Sequence, residues 1–222
     1  IPDGDERDKD VANAIRYAVD NGADIINMSF GKAYSPDKEV VDAAVKYADE
    51  HGVLMVHAAG NDGKNTDLDT DYPTDQYGKN LDGGTANLWI SVGASTWKPG
   101  DHFIASFSNY GDKTVDLFAP GYDIYSSVPN NKYKREDGTS MASPVVAGTA
   151  ALIMAYYPKL TAQQVKNIIL QSAKKYPDLQ VIVPNENSSD KNKKEPFSDL
   201  SVSHGEVNVY NALKMAARIS KQ

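Results

Sequence analysis

Gly138-Thr139-Ser140-Met141-Ala142-Ser143-Pro144-Val145-Val146-Ala147-Gly148 passes from small polar residues into an almost unbroken apolar run. Such a run, continuing to Tyr157, predicts a helix buried nearly all round, with Ser140 at its first turn. There the unpaired backbone N–H groups carry partial positive charge and favour an anion forming nearby. Pro144 fits because the first turn needs few intrahelical donors. Taken alone, a Gly-Thr-Ser helix start is most often a plain N-cap.

Working outward, the segments before this helix alternate between two periods. Asp8 to Asn21 places Val11, Ala14, Ile15, Ala18 and Val19 on one helical face and stops at Gly22. Asp24 to Phe30 and Val53 to Ala59 are short apolar runs of buried-strand type. Between them, Ser35-Pro36 opens a second helix with a Val40, Val41, Ala44, Val45, Ala48 stripe. Apolar strands separated by helices of this length imply parallel β-α-β units buried on both faces. The class is α/β, a three-layer fold with a mainly parallel sheet. Further strand patterns lie at Leu88 to Val92, Phe103 to Ser108, Val115 to Phe118 and Asp123 to Val128. Thr161 and Gln164 are spaced as a capping box for a helix to about Ala173, and Val209 to Ile219 reads as the last helix. The polar stretch 184–199 is expected to be a mobile surface excursion.

The chain has 222 residues, 41% hydrophobic and 24% charged, enough for one substantial core, so a single unit over 1–222 is expected. A formal charge of −7 without a dense Lys/Arg run gives no electrostatic footprint for nucleic acid or an anionic membrane. No apolar stretch reaches the roughly 20 residues of a membrane span. The absence of cysteine excludes disulfides and thiolate metal sites without identifying a compartment.

The complete string from Gly138 to Gly148 resembles the nucleophile motif of the subtilisin-like serine peptidases. Val53-Leu-Met-Val-His57-Ala-Ala-Gly60-Asn61-Asp62-Gly63 is similar to the segment that supplies that family's oxyanion-hole asparagine, and Asp24-Ile-Ile-Asn27-Met28-Ser29-Phe30-Gly31 to the strand lining its first specificity pocket. Trp89 to Ser95, Phe107 to Gly111, Leu117 to Gly121 and Gly205 to Tyr210 match in family order. The resemblance implies that Ser140 attacks a peptide carbonyl while the Asn61 carboxamide and the Ser140 N–H bind the resulting oxyanion. It further implies that Ser29, Phe30, Gly31, Ala59, Gly60 and Thr139 contact a polypeptide substrate, with a large apolar or aromatic side chain before the scissile bond. Lys32 stands where a second glycine is common in the family, which alters the outer subsites. Secretion or a cell-envelope setting is implied by resemblance alone.

The resemblance also implies an aspartate motif and a His-Gly-Thr-His motif ahead of Asp8, and this sequence has neither. His51, His57, His102 and His204 all lie in the wrong context for a general base. The chain is therefore expected to be a truncated peptidase domain, lacking N-terminal strands and inactive alone. A homo-oligomer through the strand edge so exposed is a further expectation. The alternative is a non-catalytic, peptide-binding pseudo-peptidase. An acid-acting family sharing Gly-Thr-Ser uses Asp in the oxyanion hole, and Asn61 argues against it. No cofactor and no metal ligand set is expected. In Asp67-Leu68-Asp69-Thr70-Asp71 the carboxylates alternate, but Tyr72 and Gly78 break the EF-hand pattern, leaving only an irregular calcium site open.

Overall fold

In a computed structural model the described residues are 6–184 and 192–221. Four strands, β1 (Ile25–Met28), β2 (Leu54–Ala58), β3 (Trp89–Ser95) and β4 (Leu117–Pro120), run parallel in that order. The sheet continues through β10 (Gly205–Glu206), parallel to β4, and ends on β7 (Lys174–Lys175), which is antiparallel. Two small antiparallel hairpins, β5 (Ile124–Val128) with β6 (Lys132–Glu136) and β8 (Gln180–Ile182) with β9 (Lys194–Pro196), lie apart from it.

Side-chain alternation along the strands feeds two cores. Leu54, Val56, Ile90 and Val92 pack toward α3 (Thr139–Tyr156), α4 (Ala162–Ser172) and α5 (Val209–Ile219). Met28, Met55 and Trp89 pack on the opposite side with α1 (Asp8–Asp20) and α2 (Lys38–Glu50). The fold is thus the expected three-layer α/β arrangement with a mainly parallel sheet. α3 is long and apolar enough to cross a bilayer by length and composition, yet Ala142, Val146, Ala150 and Ile153 are spent on the core beneath the sheet. The Thr161–Gln164 capping box forms in both directions, closing the start of α4.

Several expectations change. The buried face of α1 is Val11, Ala12, Ile15 and Val19, with Ala14 exposed. Val40 also faces solvent, because α2 begins only at Lys38. Ser35 does not cap α2; its Oγ donates to Asp8 Oδ1 at 2.8 Å, and the Asp37 N–H donates to Asp8 Oδ2 at 2.9 Å, tying the two helices together. Phe103 to Ser108 forms no strand beyond a bridge between Ser95 and Ile104, since Phe103 and Ile104 instead fill a third cluster with Phe118, Val181, Phe197 and Leu200. That cluster also narrows the expectation of a mobile excursion over 184–199 at its described C-terminal end. Lys194–Pro196 pairs as β9, and Phe197 and Leu200 are buried, so apolar burial holds this part down. The central part of the same stretch, 185–191, lies outside the described residues. β1 is the outermost described strand of its sheet, with Ile25 and Ile26 half-buried and Asn27 exposed, rather than the fully buried strand its composition suggests.

Candidate active site

The C-terminal ends of β1 and β2 and the N-terminus of α3 meet at one cleft of about 280 Å3, lined among others by Phe30, Gly31, Gly60, Asn61, Thr139 and Ser140. Gly138 precedes α3 with φ +150, a conformation in which a side chain is strained, and its N–H donates to the Gly121 carbonyl at 2.8 Å. This turn aims the following residues into the cleft.

Buried Thr139 then joins the two segments that matter. Its backbone N–H donates to Asn61 Oδ1 at 2.8 Å, its hydroxyl donates to the same oxygen at 3.0 Å, and it accepts from the Gly60 N–H at 3.2 Å. Because a backbone N–H can only donate, the atom it meets must be the carboxamide oxygen of Asn61. The amide nitrogen is thereby turned away from Thr139, and no described residue accepts from it. A Cβ built on Gly138 would stand 3.7 Å from that nitrogen, which locates it beside the start of α3. Asn109 fixes the turn behind, accepting from the N–H groups of Asp62 and Lys64 at 3.1 and 3.0 Å and donating to the Ala59 carbonyl at 2.8 Å.

Ser140 is the second residue of α3 and half-buried. Its Oγ donates to the Ser29 carbonyl at 3.1 Å, while Ser29 Oγ donates to the Ser140 carbonyl at 2.9 Å. The Ser140 N–H has no acceptor among the described residues. Two unspent donors, this N–H and the Asn61 amide, therefore accompany one hydroxyl in a single cleft. That combination can bind an oxyanion while an oxygen nucleophile attacks. The helix N-terminus adds its partial positive charge.

What the cleft lacks among the described residues is a base hydrogen-bonded to Ser140 Oγ. His57 is buried, its Nε2 lies 2.9 Å from the Phe30 carbonyl, and burial lowers its pKa to about 4 despite that carbonyl. It is a neutral core histidine on β2 packed against Trp89, with ring centroids 5.1 Å apart.

Of the residues expected to contact substrate, Phe30, Gly31, Gly60 and Thr139 line the cleft. Ser29 instead stands behind Ser140, and Ala59 lines a separate cavity of about 320 Å3 under the 64–78 loop. Sequence reasoning matched the Asn109 segment without giving this residue a task. Asp71, weighed in the sequence only as one of three alternating carboxylates, lines both the cleft and the inner cavity. Burial, reinforced by the nearby Asp62 charge, raises the Asp71 carboxyl to about 6 against the Tyr72 N–H and Lys64. The alternating carboxylates diverge: Asp67 accepts from Thr114 at 2.7 Å, Asp69 pairs with Lys64 at 3.3 Å, and Asp71 faces the cleft. Among the described residues no acidic or histidine group is clustered to hold a metal ion.

The family model described as the Subtilase family matches residues 2–204. The chain belongs to the subtilase family. Its relatives include Subtilisin DY of Bacillus licheniformis, 40% identical over 166 residues that cover 73% of this chain and 54% of that one. The Major intracellular serine protease of Bacillus subtilis (strain 168) is 39% identical over 148 residues, covering 66% of this chain and 41% of the other. Among solved structures, the prenylagaramide maturation protease PagA superposes with a TM-score of 0.68 at 29% identity, covering 94% of this subtilase chain and 67% of its own. The matched region thus spans about half the length of Subtilisin DY.

Proposed function

We propose that this subtilase chain carries the nucleophile and oxyanion hole of a serine endopeptidase. Ser140 attacks the scissile carbonyl, and the Asn61 amide with the Ser140 N–H takes the developing negative charge. The observation that carries this is the anchoring of Asn61 through its oxygen on Thr139, which frees its N–H donors in the cleft that Ser140 lines. Phe30, Gly31 and Gly60 form the walls for an extended peptide, a mode in which strand-edge backbone groups recognise backbone. Turnover needs a general base from outside the described residues, so this chain alone has little peptidase activity. The outer edge of β1, unpaired among the described residues, serves as a pairing surface, and self-association through it is part of the proposal.

A second reading is favoured by one observation, the Ser140 hydroxyl turned to the Ser29 carbonyl instead of a base: a peptide-binding pseudo-peptidase. Incubating the protein at its natural full length with an unfolded protein substrate separates the two. Cleavage that disappears in Ser140→Ala supports the peptidase. Binding without cleavage supports the second reading, and cleavage that survives Ser140→Ala contradicts both. A secreted or cell-envelope setting is part of the proposal, although two of the relatives are named intracellular proteases.

A further inference from the structure

Asp71 sits on the 64–78 loop, and that loop is fastened to the cleft wall by paired backbone bonds, Lys32 N–H to the Tyr72 carbonyl and Tyr72 N–H to the Lys32 carbonyl, both 2.9 Å. Its carboxylate rests against two backbone walls at their glycines. A Cβ on Gly60 would lie 2.2 Å from Asp71 Oδ2, and one on Gly31 3.4 Å from the same atom. Any side chain at Gly60 would collide with the carboxylate, so the glycine leaves room for this acid. The contacts it does make are slight: Oδ1 accepts from the Tyr72 N–H at 3.1 Å, and Oδ2 lies 3.5 Å from the Asn109 amide nitrogen.

The cations of the cleft are committed elsewhere. Lys32 Nζ pairs with Asp8 at 2.8 Å, and Lys64 Nζ is shared between Asp69 at 3.3 Å and Asp62 at 3.8 Å. No described cation forms an ion pair with Asp71. Three carboxylates, Asp62, Asp69 and Asp71, thus face one shared lysine. A half-buried acid with no ion pair of its own and only a share of one lysine's charge is costly, and a cation arriving from solvent relieves that cost.

We propose that Asp71 makes the cleft beside Ser140 a receptor for a basic peptide side chain, selecting Lys or Arg as the residue whose carbonyl Ser140 attacks. The inference rests on the peptidase reading of the cleft. The attacked carbonyl must lie between Ser140 Oγ and the Asn61 amide, so the side chain of that same residue is the one within reach of the cleft floor. The apolar preference implied by the family resemblance therefore gives way to the charge. A lysine ammonium or an arginine fork would gain a charge-assisted bond with Asp71.

The test is a fluorescence-anisotropy titration of this chain with labelled tetrapeptides identical except for a C-terminal Lys, Arg, Leu or Phe. At pH 8 the Lys and Arg peptides are expected to bind about tenfold or more tighter than the Leu peptide. Asp71→Asn, which keeps an acceptor for the Tyr72 N–H, should remove that advantage, so that the Lys, Arg and Leu peptides bind alike. The preference should also fall as pH drops through about 6, where the Asp71 carboxylate takes up a proton. Asp62 and Asp69, with Lys64, flank it on its own side; Lys32 and the neutral His57 face it from the walls. Leu or Phe peptides binding as tightly as Lys at pH 8, or an Asp71→Asn variant with its preference intact, would overturn the assignment while leaving the peptidase reading standing. Failure of all four peptides to bind would overturn that reading and the assignment with it.

Discussion

At the scale of single residues, Asn61 does two tasks with two ends of one carboxamide. Its oxygen staples Thr139 and its nitrogen faces the cleft, so truncation would mix a structural loss with a catalytic one. Asn61→Asp separates them, because a carboxylate still accepts from Thr139 but offers no donor. Peptide cleavage by the full-length protein should fall about 10²–10³-fold, the magnitude known for removal of this donor in subtilisin itself, with thermal stability nearly unchanged. A variant of unaltered turnover would remove Asn61 from the mechanism. Ser140 and Asn61 were legible in the sequence because each sits in a long string of unusual composition. Asp71 was not, because its meaning comes from two distant glycines, Gly31 and Gly60, and from having no ion pair among the described residues.

At the scale of elements, the entry into α3 governs the site. Gly138 adopts a backbone conformation that L side chains rarely enter, and Ser143 inside the helix donates to Asn27 Oδ1 at 2.7 Å, locking α3 to β1. Asn27 in turn donates to Ser29 Oγ at 2.8 Å, so the strand end and the Ser140 backbone are held by one chain of bonds. Gly138→Ala should cost roughly 1–3 kcal/mol of stability in thermal unfolding and displace Ser140. An unchanged melting curve would mean the strain at this turn is absent. The helices were readable from their period, and the parallel strands from short apolar runs alternating with those helices. The error at Phe103 to Ser108 arose because a short apolar run is shared by strands and by loops that feed a core, and here Phe103 and Ile104 chose the latter. The β9 pairing was hidden for the converse reason: polar composition masked the buried Phe197 and Leu200 at its end.

For the whole molecule, the parallel order from β1 to β4 places the cleft at the C-terminal ends of β1 and β2, the usual location for ligands in such sheets, with the start of α3 and the 64–78 loop completing it. It also leaves β1 with a partner on one side only among the described residues. Light scattering of this chain is expected to show mass rising with concentration as that edge pairs, and a monodisperse monomer at high concentration would refute edge pairing. The loop from 64 to 78 was opaque in sequence, since its order depends on bridges to Lys32 and Tyr110 far along the chain. A nucleophile and an oxyanion hole that wait for a base have a signature in fluorophosphonate labelling of this chain. Slow, substoichiometric labelling at Ser140, accelerated by added imidazole and lost in Ser140→Ala, is the predicted result; rapid stoichiometric labelling without added base, or a label on another residue, would contradict it.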